Sequence, residues 1–344
     1  MDRNPAIGLV QQAAAISVSS AYVADDLAAA LFPKSDIILS DRMLSNGRQY
    51  LRSLVQEIET EICMIAVKDF GLNHDIIVEI GNSDRVHCYA LLQKAGLLKS
   101  QSLLGHVFTN VQRVELSARL LNKISQADLE SVLTRYLDDE DSSTADAAMA
   151  LLVAQSRDNV GPGIVKAHID NLPAEILLAL AWPISAALQK LSGYAGTALI
   201  QATEKRLIEH DEGAGTQSRA QRLAQLIDQT AANQQNPHPL NDGLDLFLAR
   251  LARRSGLPVD QLIRFTAEPN MVRLVVTMRA IGLPVDQALS IFSALDGGGQ
   301  LLTPASFREI DDTKSQELVS DWSANKLYQD AQRQLNAHLA GLSD

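Results

Sequence analysis

The 344-residue chain contains few aromatic side chains and almost no strand-like alternation. Phenylalanine, tyrosine and tryptophan make up 4% of its residues, although hydrophobic residues reach 46%. Sandwiches and barrels favour aromatic and β-branched residues in their strands, whereas alanine and leucine favour helices. One segment, residues 74–81, alternates like a strand, but it is short and lies between helical patterns. We therefore expect an all-α protein, with a helix over that segment.

Cysteines and long hydrophobic runs are scarce as well. Two cysteines, Cys63 and Cys88, do not form the disulfide framework that is typical of secreted domains. The first residues lack the basic and apolar regions of a signal peptide. The longest apolar run, Leu172–Leu188, contains Glu175 and Pro183 and is shorter than the roughly 20 residues that a membrane span needs. We expect a pair of buried helices in this run and a cytoplasmic protein that does not bind membranes.

Basic residues are outnumbered by acidic ones. The chain has 30 Lys and Arg against 41 Asp and Glu, which gives a net charge of −11. A general nucleic-acid binder needs a basic face to displace counterions. A local basic cluster without an aromatic platform is better explained by charges that compensate helix ends. Its members are Arg250, Arg253, Arg254 and Arg264. We therefore expect no nucleic-acid partner.

Capping residues followed by apolar residues three and four positions apart predict helices along most of the chain. The longest predicted helix starts at Ser40 or Asp41 and ends at about Asp69. Further helix starts are predicted at Ser125, at Asp141 or Ser142, at Thr303 and at Thr313. A polar break with glycine and proline at residues 159–163 divides the chain. We predict two helical sub-domains, over residues 1–158 and 164–344.

The hexapeptide GLPVDQ occurs twice. Its glycine can adopt the left-handed conformation that ends a helix, and the following leucine can pack back on that helix. Its proline suits the first turn of the next helix, and its aspartate is favourable near the positive end of the helix dipole. A repeated ligand site is the alternative, but each residue already has a sufficient structural role. The predicted joint residues are Gly256, Pro258, Asp260, Gly282, Pro284 and Asp286, with Gly71 in a weaker copy.

Motifs for metals and cofactors are missing from the sequence. No two of the seven histidines lie within one helical turn, and none pairs with cysteine at zinc spacing. The acidic stretch at residues 138–141 lacks the glycine and glutamate that a calcium loop needs at fixed offsets. No glycine motif for phosphate or dinucleotide binding occurs. We expect no metal, no cofactor and no catalytic residue.

One histidine segment has a form that bears on signalling. His168 is followed by Pro173, an offset that resembles the phospho-acceptor box of histidine kinases. The acid, Asp170, is one position later than in that box, and no glycine-rich nucleotide-binding segment follows. His168 is therefore kept as a candidate phospho-acceptor, and the alternative is a loop residue that leads into the helix start at Pro173.

Residues 38–62 resemble the start of a bacterial family catalogued as domain of unknown function 2336. Members carry a Leu-Ser/Thr-Asp-Arg start and then a helix with Leu-Val and Ile/Val-Glu pairs. In this chain those positions are Leu39, Ser40, Asp41, Arg42, Leu54, Val55, Ile58 and Glu59. The segment Leu172–Leu188 and the twin Gly-Leu-Pro region resemble later parts of the family. The resemblance implies a HEAT-like helical protein and carries over no activity, although the expected Asp-Arg pairs are eroded after Gly71.

Joints that recur between helical hairpins are typical of an α-solenoid, which exposes a long concave surface. We therefore expect a non-catalytic scaffold or adaptor that presents a helical groove to another protein. A phosphotransfer protein that uses His168 is the first alternative, and a hydrolase with a site scattered across helices is the second. The oligomeric state stays open.

Overall fold

The computed structural model describes residues 8–14, 41–73, 88–123, 131–158, 166–194, 196–229, 236–295, 302–324 and 335. These residues form α-helices joined by turns and short 3-10 helices, and the described ranges contain no β-strand. The all-α prediction is confirmed. The strand-like segment, the predicted helix start at Ser125 and the polar break at residues 159–163 lie outside the described residues.

The α-helices whose bounds are defined are numbered α1 to α14 in chain order. The first seven are α1 Asp41–Phe70, α2 Cys88–Lys94, α3 Gln101–Leu121, α4 Ser131–Leu137, α5 Ser142–Asp158, α6 Ala174–Ser192 and α7 Ala198–Ile208. The other seven are α8 Thr216–Gln229, α9 Pro239–Ser255, α10 Val259–Thr266, α11 Val272–Ala280, α12 Val285–Ala294, α13 Pro304–Arg308 and α14 Asp312–Ser323. Three 3-10 helices lie at Ile169–Asn171, Glu212–Ala214 and Pro269–Met271.

The first hydrophobic core surrounds the long helix α1. Leu51 and Ile58 of α1 are fully buried in it, with Leu104 of α3, Ile184 of α6 and Leu199 of α7. Burial of each such side chain contributes about 1.5–3 kcal/mol. Because α1 carries this apolar stripe over its whole length, it organises α2, α3, α6 and α7 around itself.

The two cysteines belong to the same core. Cys63 of α1 and Cys88 of α2 are free and buried. Burial raises the pKa of the Cys63 thiol to about 12 and raises the pKa of Cys88 further above its usual range. Both side chains therefore act as small apolar groups at neutral pH.

The second core lies among α9 to α14. Phe247 of α9, Phe265 of α10 and Phe307 of α13 are fully buried there. Phe265 packs edge-on against Trp322 of α14, with 5.3 Å between ring centroids and 75° between ring planes. A third and smaller core joins α4, α5 and α8 to α9, which contributes Leu246.

Helix α3 is shared between the first two cores. Its N-terminal half contributes Leu104 and Val107 to the first core, and its C-terminal half contributes Leu116 and Leu120 to the second. The first core also takes residues from both sides of the predicted boundary at residues 159–163. That boundary therefore does not separate hydrophobic cores in the described part of the chain.

The order of packing differs between the two ends of the chain. From α9 to α13, each helix packs on its neighbour in the sequence, as an array of helices predicts. Helix α1 instead packs closely on α7, and α5 packs on α8, across long separations in the sequence. These contacts are not the nearest-neighbour stacking of a regular solenoid.

The predicted joints occupy the ends of helices. Gly256 ends α9 with φ 72°, and its N–H donates to the carbonyl of Ala252. Gly282 follows α11 with φ 71°, and the next N–H, that of Leu283, donates to the carbonyl of Met278. Gly71 follows α1 with φ 68°. The leucine after each of these glycines is buried, which is the return packing that the sequence predicts.

The prolines of the joints stand one position earlier than predicted. Pro258 and Pro284 are the N-cap residues of α10 and α12, with extended backbone, rather than residues of the first turn. Asp260 and Asp286 do lie in the first turns. An N-cap residue precedes the helical hydrogen bonds, so a proline loses nothing there.

The apolar run Leu172–Leu188 does not form two helices. Helix α6 continues through Pro183, so the predicted pair of helices in this run is wrong. An internal proline removes one backbone hydrogen bond and costs about 3 kcal/mol. Buried residues on both sides of it, among them Leu180 and Leu188, offset that cost by packing in the first core.

Cap predictions near the C-terminus were partly correct. Thr303 caps α13 in a reciprocal arrangement with Ser306, with Pro304 at the first helical position, as predicted. The N-cap of α14 is Asp311, two residues before the predicted Thr313, and its carboxylate accepts from the N–H of Lys314. Helix α5 begins at Ser142, as predicted, with Asp141 before it.

A valine at Gly282 tests the joint. The left-handed backbone costs an L-residue about 1–2 kcal/mol, and an added Cβ there meets no atom within 4 Å. We expect Gly282→Val to lower the free energy of unfolding by about that amount in urea denaturation, through backbone conformation alone. Gly282→Asn is the matched control and should lose less, since asparagine tolerates this conformation. A valine variant as stable as the wild type would contradict the role of the joint.

Candidate functional site

His168 lies in an extended segment between α5 and α6, not on an α-helix. Its backbone angles are φ −129° and ψ 130°, and it caps the 3-10 helix Ile169–Asn171. The N–H of Asp170 donates to Nδ1 of the ring at 3.4 Å. Nε2 lies 3.7 Å from Oε1 of Glu57 on α1. Both ring nitrogens therefore face groups of the protein, and the side chain is 24% exposed.

Further charges surround this histidine, and we call Glu57, Glu61, His168, Asp170 and Arg206 the His168 cluster. Arg206 of α7 donates to the carboxylate of Glu61, and its guanidinium lies 3.9 Å from Asp170. Burial raises the pKa of the Glu57 carboxyl, and the nearby His168 acts in the opposite direction. The cluster thus ties the segment before α6 to α1 and α7 by paired charges.

Unsatisfied polar atoms mark the edge of the same region. Among the described residues, Oε2 of Glu57 and Nδ1 of His210 are the buried side-chain atoms without a hydrogen-bond partner. Nε2 of His210 bonds to the carbonyl of Leu172, which follows the His168 segment. The imidazole of His210 therefore holds the other end of this segment in place.

A second polar group, centred on α3, joins the helices that pack around it. Arg113 is 16% exposed, and its guanidinium donates to Asp245 of α9 at 2.9 Å and to Asp158 of α5 at 2.7 Å. Asp158 also accepts from Nδ2 of Asn171 at 2.8 Å and from the hydroxyl of Thr216 at 2.9 Å. We call these five residues the Arg113 network.

The network satisfies its charges internally. Burial opposes the positive charge of Arg113, but the carboxylates of Asp245 and Asp158 outweigh that effect and raise the pKa of the guanidinium above its usual range. Asp245 gains one more donor, Nε2 of Gln155, at 2.9 Å. The arrangement stays charged in the interior and holds α3, α5, α8 and α9 together.

A histidine of α3 lies buried beside the first core. Nε2 of His106 lies 3.1 Å from the hydroxyl of Tyr50 on α1 and 3.1 Å from Nδ2 of Asn110. Burial lowers the pKa of His106 to about 4, and the charge of Arg113 acts in the same direction. The imidazole is therefore neutral at physiological pH and serves as a polar link between α1 and α3.

The predicted basic cluster consists largely of ion pairs. Arg250 is almost fully buried and pairs with Asp242 at 3.0 Å and with Asp228 at 3.4 Å. Arg253 shares Asp228 at 3.3 Å. The cluster belongs to the contact of α9 with α8, so buried pairing rather than compensation of a helix end accounts for Arg250.

The two GLPVDQ copies differ at their aspartates. Burial raises the pKa of Asp260, and Arg264 and a hydrogen bond from Gln217 act in the opposite direction. Asp286 is exposed. Identical sequences therefore serve the same local role in two different tertiary surroundings.

The acidic turn at residues 138–141 caps a helix. Asp141 accepts from the N–H of Ser143 at 3.2 Å and from the hydroxyl of Thr144 at 3.0 Å. These hydrogen bonds lower the pKa of its carboxyl, that from Thr144 most. Within the described ranges, no group of three or more His, Cys, Asp or Glu side chains could hold a metal ion.

Exposed large apolar side chains recur at helical spacing on two of the helices, α5 and α6. On α5, Met149, Leu152 and Val153 are exposed at helical spacing on one face. On α6, Leu178 and Trp182 are exposed one turn apart. Contiguous apolar surface of this kind marks interaction sites more often than single exposed residues do. The sequence pattern did not separate these residues from the core, because α5 and α6 are apolar on more than one side.

One described helix, α6, is long and apolar enough to cross a membrane by length and composition. Of its most apolar window, 44% is buried inside the protein. Its buried side packs on α1, α2 and α7.

Comparison of the chain with family models, with curated proteins and with solved structures finds no match.

A methionine at position 113 tests the Arg113 network. Removal of the cation leaves the carboxylates of Asp158 and Asp245 with neutral hydrogen-bond donors only. Breaking a fully buried ion pair costs about 3–5 kcal/mol, which is the upper limit for this partly buried group. We expect Arg113→Met to lose about 2–4 kcal/mol of unfolding free energy in urea denaturation. Arg119→Met is the control on the same helix, because Arg119 is 46% exposed and its pair with Glu115 is worth no more than about 1 kcal/mol. Equal losses for the two variants would contradict the network.

A second test concerns His106 and acid. The pKa of a free histidine, 6.5, falls to about 4 in the folded protein. Protonation therefore favours the unfolded chain, so this residue's contribution to stability is complete above pH 6.5 and is lost as pH falls toward 4. The loss amounts to about 3 kcal/mol. We expect the difference in unfolding free energy between wild type and His106→Gln to shrink over this interval; a constant difference would contradict the buried neutral imidazole.

Proposed function

We propose that this protein is a non-catalytic scaffold or adaptor that binds another protein along a helical surface. The observation that supports the proposal is the apolar stripe Met149, Leu152 and Val153 on α5. Residues at positions i, i+3 and i+4 form one continuous strip on a helix. Exposed methionine and aliphatic side chains lose unfavourable contact with water when a partner covers them.

The surroundings of this strip suit a helical partner. Asp146 precedes the strip by one turn and is exposed. Arg157 follows the strip, is exposed, and pairs with Asp170 at 3.2 Å. An apolar strip between opposite charges matches the apolar face and polar flanks of an amphipathic helix. The inner side of α5 packs on α4 and α8, so the strip lies on a supported helix and needs no rearrangement before binding.

A phosphotransfer role for His168 receives less support. A phospho-acceptor needs a ring nitrogen that is open to an incoming phosphoryl group. Nδ1 of His168 accepts from the N–H of Asp170, and Nε2 faces the carboxylate of Glu57 at 3.7 Å. Both ring nitrogens therefore face groups of the protein itself. These contacts favour a positioning role, in which His168 holds the segment before α6.

Four further points concern the hydrolase alternative, the family, the location and the helical arrangement. The hydrolase alternative has no set of described side chains that favours it over the scaffold. Membership of the bacterial family of domain of unknown function 2336 and a cytoplasmic location remain proposals that rest on the sequence. The HEAT-like, solenoid-like arrangement draws its support from α9 to α13, where helices follow one another in packing as in the sequence.

Capture of a partner with matched baits tests the scaffold. We expect the wild-type chain to enrich a protein from the cells that produce it, and the double variant Met149→Glu, Leu152→Glu to lose most of that protein. Two charges in the strip should weaken binding at least about tenfold, since burial of an unpaired carboxylate opposes association. The measurement is quantitative mass spectrometry, followed by the dissociation constant with the purified partner.

Met64→Glu is the control for this experiment. Met64 lies on α1 and is exposed, so the variant adds a carboxylate at an apolar position away from α5. It should retain the partner. Equal recovery with the wild-type and α5-variant baits, both with unchanged helical circular dichroism, would contradict the proposed surface.

A further inference from the structure

The outward face of α6 carries an apolar strip with one charged residue at each end. Glu175 is exposed in its first turn and Lys190 in its last turn. Between them Leu178, Ala179, Trp182 and Ala186 are exposed. Glu175 and Lys190 are the only charged residues of α6. The outer face therefore has little affinity for water, although the opposite face already lies in the first core.

The order of these residues is self-complementary. If a second copy of α6 runs antiparallel, with a two-fold axis beside Trp182, position 175 of one copy meets position 190 of the other, because both are equally far from the axis. Glu175 then faces a lysine of the partner at both ends of the contact. By the same symmetry, Ala179 meets Ala186. Small side chains at those positions allow close approach of the two helices.

We propose that this face of α6 is the interface of an antiparallel homodimer. Trp182 supplies the buried anchor near the axis, as aromatic residues do at the centres of interfaces. The two Glu175–Lys190 pairs set the antiparallel direction, since a parallel arrangement would place like charges together at each end. Within one chain these two residues lie about 22 Å apart along the helix, so they cannot pair with each other.

This inference is independent of the proposed partner surface on α5. A dimer through α6 leaves the strip of Met149, Leu152 and Val153 on a different helix, so the α5 bait variants and the α6 variants report on separate contacts. A symmetric dimer would present two copies of the α5 strip. It would therefore raise the avidity of the scaffold for a partner with two binding segments.

Charge exchange tests the interface with the full chain. Sedimentation velocity, measured from micromolar to hundreds of micromolar protein, should show a monomer–dimer equilibrium for the wild type. Glu175→Lys alone and Lys190→Glu alone should each raise the dissociation constant about tenfold, because each creates like-charge contacts at both ends. The double variant Glu175→Lys, Lys190→Glu should restore dimerisation to within about threefold of the wild type. A monomeric wild type, or no rescue in the double variant, overturns the proposal.

Cysteine pairing tests the direction of the helices. Ala179→Cys and Ala186→Cys, mixed in equal amounts and oxidised mildly, should form a mixed disulfide, whereas each variant alone should not cross-link. Cross-linking of Ala179→Cys with itself would indicate a parallel contact and overturn the antiparallel arrangement.

Binding of the wild type to neutral phosphatidylcholine vesicles, with loss of binding in Trp182→Asp and no dimer in solution, would assign the face to a membrane instead. Melting temperatures near that of the wild type confirm that each variant is folded.

Discussion

The partly buried guanidinium of Arg113, with its two carboxylate partners, is the interaction on which the packing of α3, α5 and α9 depends. It lies on α3, the helix that contributes one half to the first core and the other half to the second. Its two carboxylate partners, Asp158 and Asp245, lie on α5 and α9. A buried cation is costly unless both partners are in place, so the pair of hydrogen bonds sets the relative position of α5 and α9 as well as their distance. Apolar packing alone would allow these helices to slide.

A rigid interior of this kind leaves the outward faces of α5 and α6 free to carry function. Both helices use one side in a core and expose apolar residues on the other side. The exposed apolar residues of α5 and α6 differ in the charges that flank them. The strip on α5 lies between an acidic and a basic residue and suits a helical segment of another protein. On α6, Glu175 and Lys190 lie equally far from the centre of the exposed face, so that this face suits a second copy in antiparallel orientation. The proposed scaffold would dimerise through α6 and bind its partner through α5.

The contacts of His168 in the folded chain favour a different role from the one that its sequence motif indicates. In the sequence, His168 and Pro173 stand at the offset of a phospho-acceptor box. In the folded chain, the ring is held by Asp170 from its own segment and by Glu57 from α1. The proline that follows is the N-cap of α6. The histidine therefore acts in the entry to a core helix, a role that its neighbours in the sequence could not reveal.

Local chemistry, readable from the sequence alone, determined the helical class, the course of α1, the caps at Asp141 and Thr303, and the left-handed glycines at positions 256 and 282. These features depend on interactions within a few residues, and the sequence contains all of them. Tertiary structure decided that α6 continues through Pro183, that Arg250 is buried and Arg113 partly so, that Asp260 and Asp286 differ, and that Trp182 faces outward while Leu180 does not. Each of these outcomes depends on burial against helices distant in the chain, which no local pattern encodes.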